Sequence, residues 1–249
     1  MADAQFSPVP GPGVALIPAR GGSRRIPRKN IRPFLGVPAL ARVIDTVLVS
    51  GIVGSVVVST EDSEIAEVAL AAGATVPDFR PDRLADDVTS TIDVVRHAIG
   101  EWFTDLAPTA LLWVVTPGAL LIRPEDLREA AERFMASGAT FLVPVLRYSH
   151  PVERRLRVDA DGRLYADAPE HLASRTQDLE PAFHDAGQFS VGRLEAWLRS
   201  SPLADADAVA MEFSRDRAVD IDDPEDWALA ESFARIHGLV ESSVSDGRR

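Results

Sequence analysis

Residues Ala15–Asn30 read ALIPARGGSRRIPRKN. The apolar run Val14–Ile17 predicts a buried strand, and Arg20-Gly21-Gly22-Ser23 predicts a loop leaving it. Arg24, Arg25, Arg28 and Lys29 follow at once, and no acidic residue stands between Asp3 and Asp45. The whole chain of 249 residues carries a net charge of -12. A concentrated positive loop at a strand end, on a negative protein, is a site for an anionic ligand. Its glycines let the backbone approach that ligand and turn N–H groups toward it. Gly36-Val37-Pro38 then opens a helix, with Pro38 near the first helical position, where a missing N–H costs little.

The loop is neither a GxxxxGK[ST] phosphate loop nor a GxGxxG dinucleotide turn. Six basic residues between Arg20 and Arg32 exceed what one pyrophosphate needs and suit a triphosphate. The competing reading is a solvated basic loop. Downstream, Leu40, Val43, Ile44, Val47 and Leu48 form a helical apolar face that Gly51 ends. Ser55–Ser59 is a second buried strand, and a helix follows to Ala72 with Thr60 or Asp62 as its cap. Strand, helix, strand, helix is the grammar of a doubly wound, mostly parallel α/β sheet. Further strands are expected at Thr75–Phe79, Ala110–Val115, Thr140–Leu146, Gln188–Gly192, Val209–Phe213 and Val219–Ile221. Helices are expected from Thr89 or Ser90 to about Phe103, from Pro124, over Leu194–Arg199, and over Pro224–Ile236. The last of these turns Trp227, Leu229, Ala230 and Phe233 inward. Between residues 147 and 182 the pattern changes to short pieces flanking Asp161-Gly162, a hairpin turn, which predicts a small antiparallel insertion. Residues 1–13 predict a loose arm, 14–240 one domain, and 241–249 a disordered tail.

Composition excludes several classes. The acidic balance argues against nucleic-acid and anionic-membrane partners. No cysteine is present, so disulfides and thiolate metal sites are excluded. The N-terminus has no secretory pattern and no apolar run reaches spanning length, so a cytoplasmic location is expected.

Three later clusters carry chemistry. Phe79-Arg80-Pro81 precedes Leu84-Ala85-Asp86-Asp87 and Thr89-Ser90-Thr91. Arg80 can donate to a base, or pair with Asp86 or Asp87 on the surface. In Val219-Asp220-Ile221-Asp222 alternation places Asp220 and Asp222 on one face of a strand. Two such carboxylates repel unless a cation lies between them, and Mg2+ takes carboxylates together with phosphate oxygens. The alternative is an acidic strand end, with Asp223 capping the helix at Pro224. The third cluster, Arg175-Thr176-Gln177-Asp178-Leu179 and His184-Asp185-Ala186-Gly187-Gln188-Phe189, is densely polar ahead of a strand. His184 could act as a base or as a structural hydrogen bonder.

The run PARGGSRRIPRKN resembles the first signature of the acylneuraminate cytidylyltransferases, the CMP-sialic acid synthetase family, with Arg24 where that pattern usually has Lys. The first and third of these clusters are similar to its RPxxLAxD…T and R[ST]QDL…HDAGQF segments, the latter typical of the branch that activates pseudaminic acid. The pair at Asp220 and Asp222 is similar to its DID motif. The resemblance implies a Rossmann-like nucleotidyltransferase that couples a nonulosonic acid to CTP with Mg2+ and releases pyrophosphate. It also implies a homodimer formed through the insertion. It implies nucleotide contacts from Ala19, Arg20, Gly21, Gly22, Ser23, Arg24, Lys29, Asn30, Arg80, Asp87 and Thr91, with Arg20, Arg24 and Lys29 as the catalytic cations. Arg154, Arg175, Gln177, Asp185 and Gln188 would meet the sugar, and Asp220 and Asp222 the metal. One segment departs: Thr116-Pro117-Gly118-Ala119-Leu120-Leu121-Ile122 lacks the Thr and second Pro of the family's QPTSPLR-like stretch. That departure leaves open another ulosonic acid (legionaminic, sialic or deaminated) or a catalytically weak CTP-binding homologue.

Overall fold

β1 (Gly13–Pro18) is apolar on both faces, as a strand covered by helices on two sides must be. A computed structural model describes residues 13–86 and 88–239. After β1 the chain forms a short hairpin of β2 (Pro33–Phe34) and β3 (Val37–Pro38), then α1 (Ala39–Ser50), β4 (Val53–Ser59) and α2 (Ser63–Ala71). Next come α3 (Thr91–Glu101), β5 (Leu111–Val115), α4 (Pro124–Ser137) and β6 (Phe141–Arg147). A hairpin of β7 (Leu156–Val158) and β8 (Leu164–Ala166) interrupts the succession. The chain closes with β9 (Phe183–Asp185), β10 (Phe189–Arg193), α5 (Leu194–Arg199), β11 (Ala208–Phe213) and α6 (Pro224–Ile236).

The main sheet runs β11-β6-β10-β5-β1-β4, and β9 also pairs with β6. β4, β1 and β5 are mutually parallel and β11 is parallel to β6, whereas β10 is antiparallel to both of its neighbours. The molecule is therefore an α/β protein with a mixed, mostly parallel sheet. Ala15 and Ile17 of β1 enter the core shared with α1, α2, α4 and α6, and Val14 and Leu16 enter the core shared with α3 and α5. Asp62, Ser90 and Asp223 cap α2, α3 and α6 by accepting from the first free N–H groups, which selects Asp62 over Thr60 and Ser90 over Thr89.

β9 and β10 form one antiparallel path broken at Ala186-Gly187-Gln188. Ala186 donates its N–H to the Pro144 carbonyl, and Thr116 donates to the Gln188 carbonyl. The break lies where β5 ends, since Phe189 pairs with Val115. It turns the chain at Gly187, whose φ is +65°.

Three expectations need correction. Thr75–Phe79 is not a strand but a single bridge between Thr75 and Val57, because Pro77 has no N–H to continue a ladder. Val219–Ile221 is not a strand: its Val219 and Ile221 carbonyls accept from the side chains of Gln188 and Lys29 instead of from a neighbouring strand. Leu229 faces solvent at 46% exposure, and α6 buries Trp227, Ala230 and Ala234. The ends of the chain, 1–12 and 240–249, lie outside the described residues. Among the described residues no helix is long and apolar enough to cross a membrane.

Gly192 sits in β10 between β5 and β6, and a Cβ there would stand 2.5 Å from the Phe141 ring. That ring is fully buried and edge-on to Trp197 at 5.1 Å, so it has nowhere to go. Gly192→Ala is expected to destabilise the fold by about 2 kcal/mol, as overpacking of a filled core does. Urea unfolding checks it, and an unchanged midpoint would show that the Phe141–Trp197 pair can yield.

Candidate active site

The C-terminal ends of β1 and β5 open into a cleft of about 360 Å³. Of the residues expected at a nucleotide, Arg20, Ser23, Arg24, Lys29, Asn30, Arg80 and Thr91 line it, together with Asp86, Thr116 and Asp222. Ala19, Gly21 and Gly22 do not line it. Ala19 is fully buried and its N–H donates to the Ser59 carbonyl. Nor do the loop N–H groups all face an incoming anion. Gly21 donates to Glu61 Oε1 at 2.6 Å, and Ser23 donates to the Gly21 carbonyl at 2.9 Å. These two donors are satisfied inside the protein, and side-chain cations carry the positive wall of the cleft. Asp87 lies outside the described residues.

Arg80 is only 5% exposed. It does not pair with Asp86 on the surface. Its Nε donates to Ser59 Oγ at 3.0 Å and another guanidinium nitrogen donates to the Ser59 carbonyl. Taking a guanidinium out of water against neutral acceptors costs several kcal/mol, and burial does pull its pKa down. A cation held this way, aimed at a cleft, is prepared for a ligand that accepts hydrogen bonds. Asn30 is likewise buried, with its amide N–H on the Arg20 carbonyl at 2.8 Å and its Oδ1 buried without a partner.

The cleft is also lined by Asp222, and Asp220, two residues before it, lines neither this cleft nor the smaller cavity beside it. Burial, and next the charge of Asp222, push the Asp220 carboxyl up, with Asp185 adding to the effect. Burial pulls the Lys29 ammonium down, opposed by the charges of Asp222 and Asp220, and its Nζ donates to the Ile221 carbonyl at 2.6 Å. Asp222 pairs with Arg25 at 2.6 Å, an exposed ion pair at the mouth of the cleft. Gly187 lies against Asp220: a Cβ there would stand 3.0 Å from Asp220 Cγ. Two neighbouring carboxylates fit a divalent cation, and a pair leaves room for the phosphate oxygens and waters that Mg2+ keeps.

A second cavity of about 250 Å³ adjoins the first and shares Thr91 and Thr116 with it. Asp185 and Gln188 line it, as do Ser190, Trp197 and Leu203. Gln188 is 1% exposed; its amide N–H groups brace the Ala186 and Val219 carbonyls, and its Oε1 is buried without a partner. It thereby ties the strand break to the Asp220 segment. Arg154, Arg175 and Gln177 line neither cavity. They stand in the insertion, where Arg154 donates to the Ser174 carbonyl and exposed Arg175 pairs with Asp178 at 2.8 Å. His184 is also outside both cavities; its ring packs tilted against Tyr148, with centroids 4.9 Å apart, and its Nδ1 meets the Asp185 carbonyl.

Sequence reasoning missed the part played by Ser59–Asp62. Only the cap at Asp62 had a local signal. Glu61 reaches Gly21 across 40 residues, and no spacing rule announces such a contact.

Comparison with known proteins agrees with this geometry. The family model described as cytidylyltransferase matches residues 14–188. The chain is 35% identical to pseudaminic acid cytidylyltransferase of Campylobacter jejuni subsp. jejuni over 224 residues, covering 90% of this chain and 97% of the relative. It is 30% identical to CMP-N,N'-diacetyllegionaminic acid synthase of Legionella pneumophila, again over 90% and 97% of the two chains. A solved structure of CMP:2-keto-3-deoxy-manno-octonic acid synthetase complexed with CTP superposes with a TM-score of 0.63 at 17% identity, covering 91% of this chain and 98% of that one, a likeness of fold. A basic donor cleft, a neighbouring acidic pair and this full-length similarity lead to one assignment: the chain belongs to the cytidylyltransferase family.

Proposed function

We propose that the protein transfers CMP from CTP to the anomeric hydroxyl of a nonulosonic acid, with pseudaminic acid as its substrate. The observation that carries this reading is the adjacency of the two cavities. A basic cleft sized for a nucleoside triphosphate meets a smaller polar cavity at Thr91 and Thr116, where donor and acceptor would react. Dependence on CTP fits a cytoplasmic location.

The acceptor oxygen attacks the α-phosphorus and the bond to the β-phosphate oxygen breaks. Negative charge grows on the departing pyrophosphate, and Arg20, Arg24 and Lys29 face it. Arg80 and Asn30 hold the nucleoside at the inner end. Asp220 and Asp222 are the residues that would hold Mg2+, which supplies charge neutralisation on the triphosphate. Asp185 and Gln188 border the acceptor.

The insertion supports a homodimer. Among the described residues β7 and β8 pair only with each other, and a lone two-stranded hairpin is marginal in water. Leu156, Val158, Leu164 and Tyr165 are each at least 50% exposed on it. Leu156, Val158 and Leu164 share one face of the ribbon, and a second copy covering that face would remove them from water.

Pyrophosphate release with CTP, Mg2+ and a panel of ulosonic acids tests the reading. The highest kcat/KM is expected for pseudaminic acid; preference for legionaminic, sialic or deaminated acid would move the substrate assignment, and no release with any would overturn the enzyme. Asp220→Asn is expected to lower kcat at least about 100-fold, since several kcal/mol of charge stabilisation depend on the ion. Parental turnover with unchanged Mg2+ dependence would remove Asp220 from the metal. For the dimer, Val158→Lys with Leu164→Lys should sediment as a monomer that still binds CTP. Retention of the dimer would assign the interface elsewhere.

A further inference from the structure

The four residues Ser59-Thr60-Glu61-Asp62, the last of β4 and the three after it, line neither cavity, yet each holds a part of the donor cleft. Ser59 is fully buried and accepts from Arg80 through both its hydroxyl and its carbonyl, while that carbonyl also takes the Ala19 N–H. The Thr60 carbonyl takes the Arg80 backbone N–H at 2.8 Å. Glu61 takes the Gly21 N–H, at the near end of the basic loop. Asp62 takes Arg28, at the far end, through both carboxylate oxygens. The same carboxylate caps α2 through Glu64 and Ile65, so the loop's far end is fastened to a helix and not to a mobile side chain.

The fit is close. A Cβ on Gly21 would stand 2.5 Å from Asp62 Oδ2, so only glycine allows the loop to lie on the clamp. Arg28 sits in the left-handed region at φ +56°, a conformation that a side chain adopts at a cost and that its two-pronged pair with Asp62 offsets. Glu61 Oε2 is buried without a hydrogen-bond partner, in reach of the charge on Arg80. A buried carboxylate of this kind keeps its hydrogen bond to Gly21 because no water replaces it. The cations between Gly21 and Arg28 repel one another, and a loop pinned at both ends presents them in one arrangement before the nucleotide arrives.

We propose that Glu61 and Asp62 are positioning residues for CTP, acting through Gly21 and Arg28 to fix the basic loop. This inference rests on the CTP reading above. Calorimetric titration of the full-length protein with CTP and Mg2+, beside steady-state kinetics, tests it. Glu61→Ala is expected to weaken CTP binding about tenfold and raise the CTP KM in step, the size expected for losing a hydrogen bond to a charged group. Its kcat and its KM for the acceptor should stay near the parent's. Glu61→Gln keeps an acceptor for the Gly21 N–H and should recover most of the affinity, a rescue that general loss of stability would not produce. Gly21→Ala attacks the same clamp from the other side and should reproduce the CTP defect; it decides the matter should Glu61→Ala fail to fold by circular dichroism. Parental CTP affinity in folded Glu61→Ala or in Gly21→Ala overturns the clamp while leaving the function intact. Equal defects in Glu61→Ala and Glu61→Gln overturn the hydrogen-bond account. Failure of the parent itself to bind CTP overturns the functional reading, and this inference with it.

Discussion

Six basic side chains between Arg20 and Arg32 repel one another, and everything near the cleft follows from how that repulsion is contained. The protein surrounds the loop with acids from two separate places, the Glu61–Glu64 segment and Asp222. Asp62 and Glu64 hold Arg28, Glu61 holds the backbone at Gly21, and Asp222 holds Arg25. Exposed ion pairs are individually weak, so those to Arg25 and from Glu64 contribute little to stability. Their value lies in geometry, because each fixes one cation while leaving Arg20, Arg24 and Lys29 on the cleft wall. The Arg28–Asp62 pair is of another kind. It is more buried, two-pronged and shared with a helix cap, and the Arg28 hydrogen bond holds the Asp62 carboxyl below the ordinary carboxylate range.

The sheet positions the Asp220 segment by a departure from regularity. An unbroken β9–β10 strand would carry its side chains past the end of β5 in strict alternation. The break at Ala186–Gln188 instead turns Gln188 inward, to brace Val219, and brings Asp185 close enough to Asp220 to affect its titration. Gly187 makes the break possible, both by its positive φ and because Asp220 lies where a side chain would be. One antiparallel strand in a mostly parallel sheet thus links the Asp220 segment to the smaller cavity.

Much of this was legible in the sequence. The buried strand Val14–Ile17, the basic loop, the capped helices and the insertion hairpin are all local patterns, set by residues within a turn or two of one another. The Asp220 segment was misread because alternation describes side chains and not the partners of the carbonyls, which here are Lys29 and Gln188. Leu229 was placed inside because helical spacing gives an apolar face without its width; α6 buries Trp227, Ala230 and Ala234, and Leu229 falls beyond the edge. The direction of the Gly21 N–H depends on Glu61, and no local rule relates the two. Arg154, Arg175 and Gln177 carry the family pattern but lie in the insertion and line neither cavity, and no local rule in the sequence says which cavity an inserted segment faces.

The altered Thr116–Ile122 segment bears on whether catalysis has been kept. Residues Gly118, Ala119, Leu120, Leu121 and Ile122 are buried, the last four at 3% exposure or less, and they pack in the core shared with α1 and α4. The Leu120 carbonyl accepts from Arg42 on α1. Only Thr116 and Pro117 reach the donor cleft, and Thr116 alone also reaches the acceptor cavity. Replacing the usual Thr and Pro with apolar residues therefore changes packing behind the site more than the groups that face a substrate. An enzyme drifting toward loss of turnover would be expected to lose charge in the cleft first, since unused clustered charges cost stability. Here the acidic pair, the cation wall and the buried Arg80 are all retained, so the departure counts as repacking of the core beneath a working site.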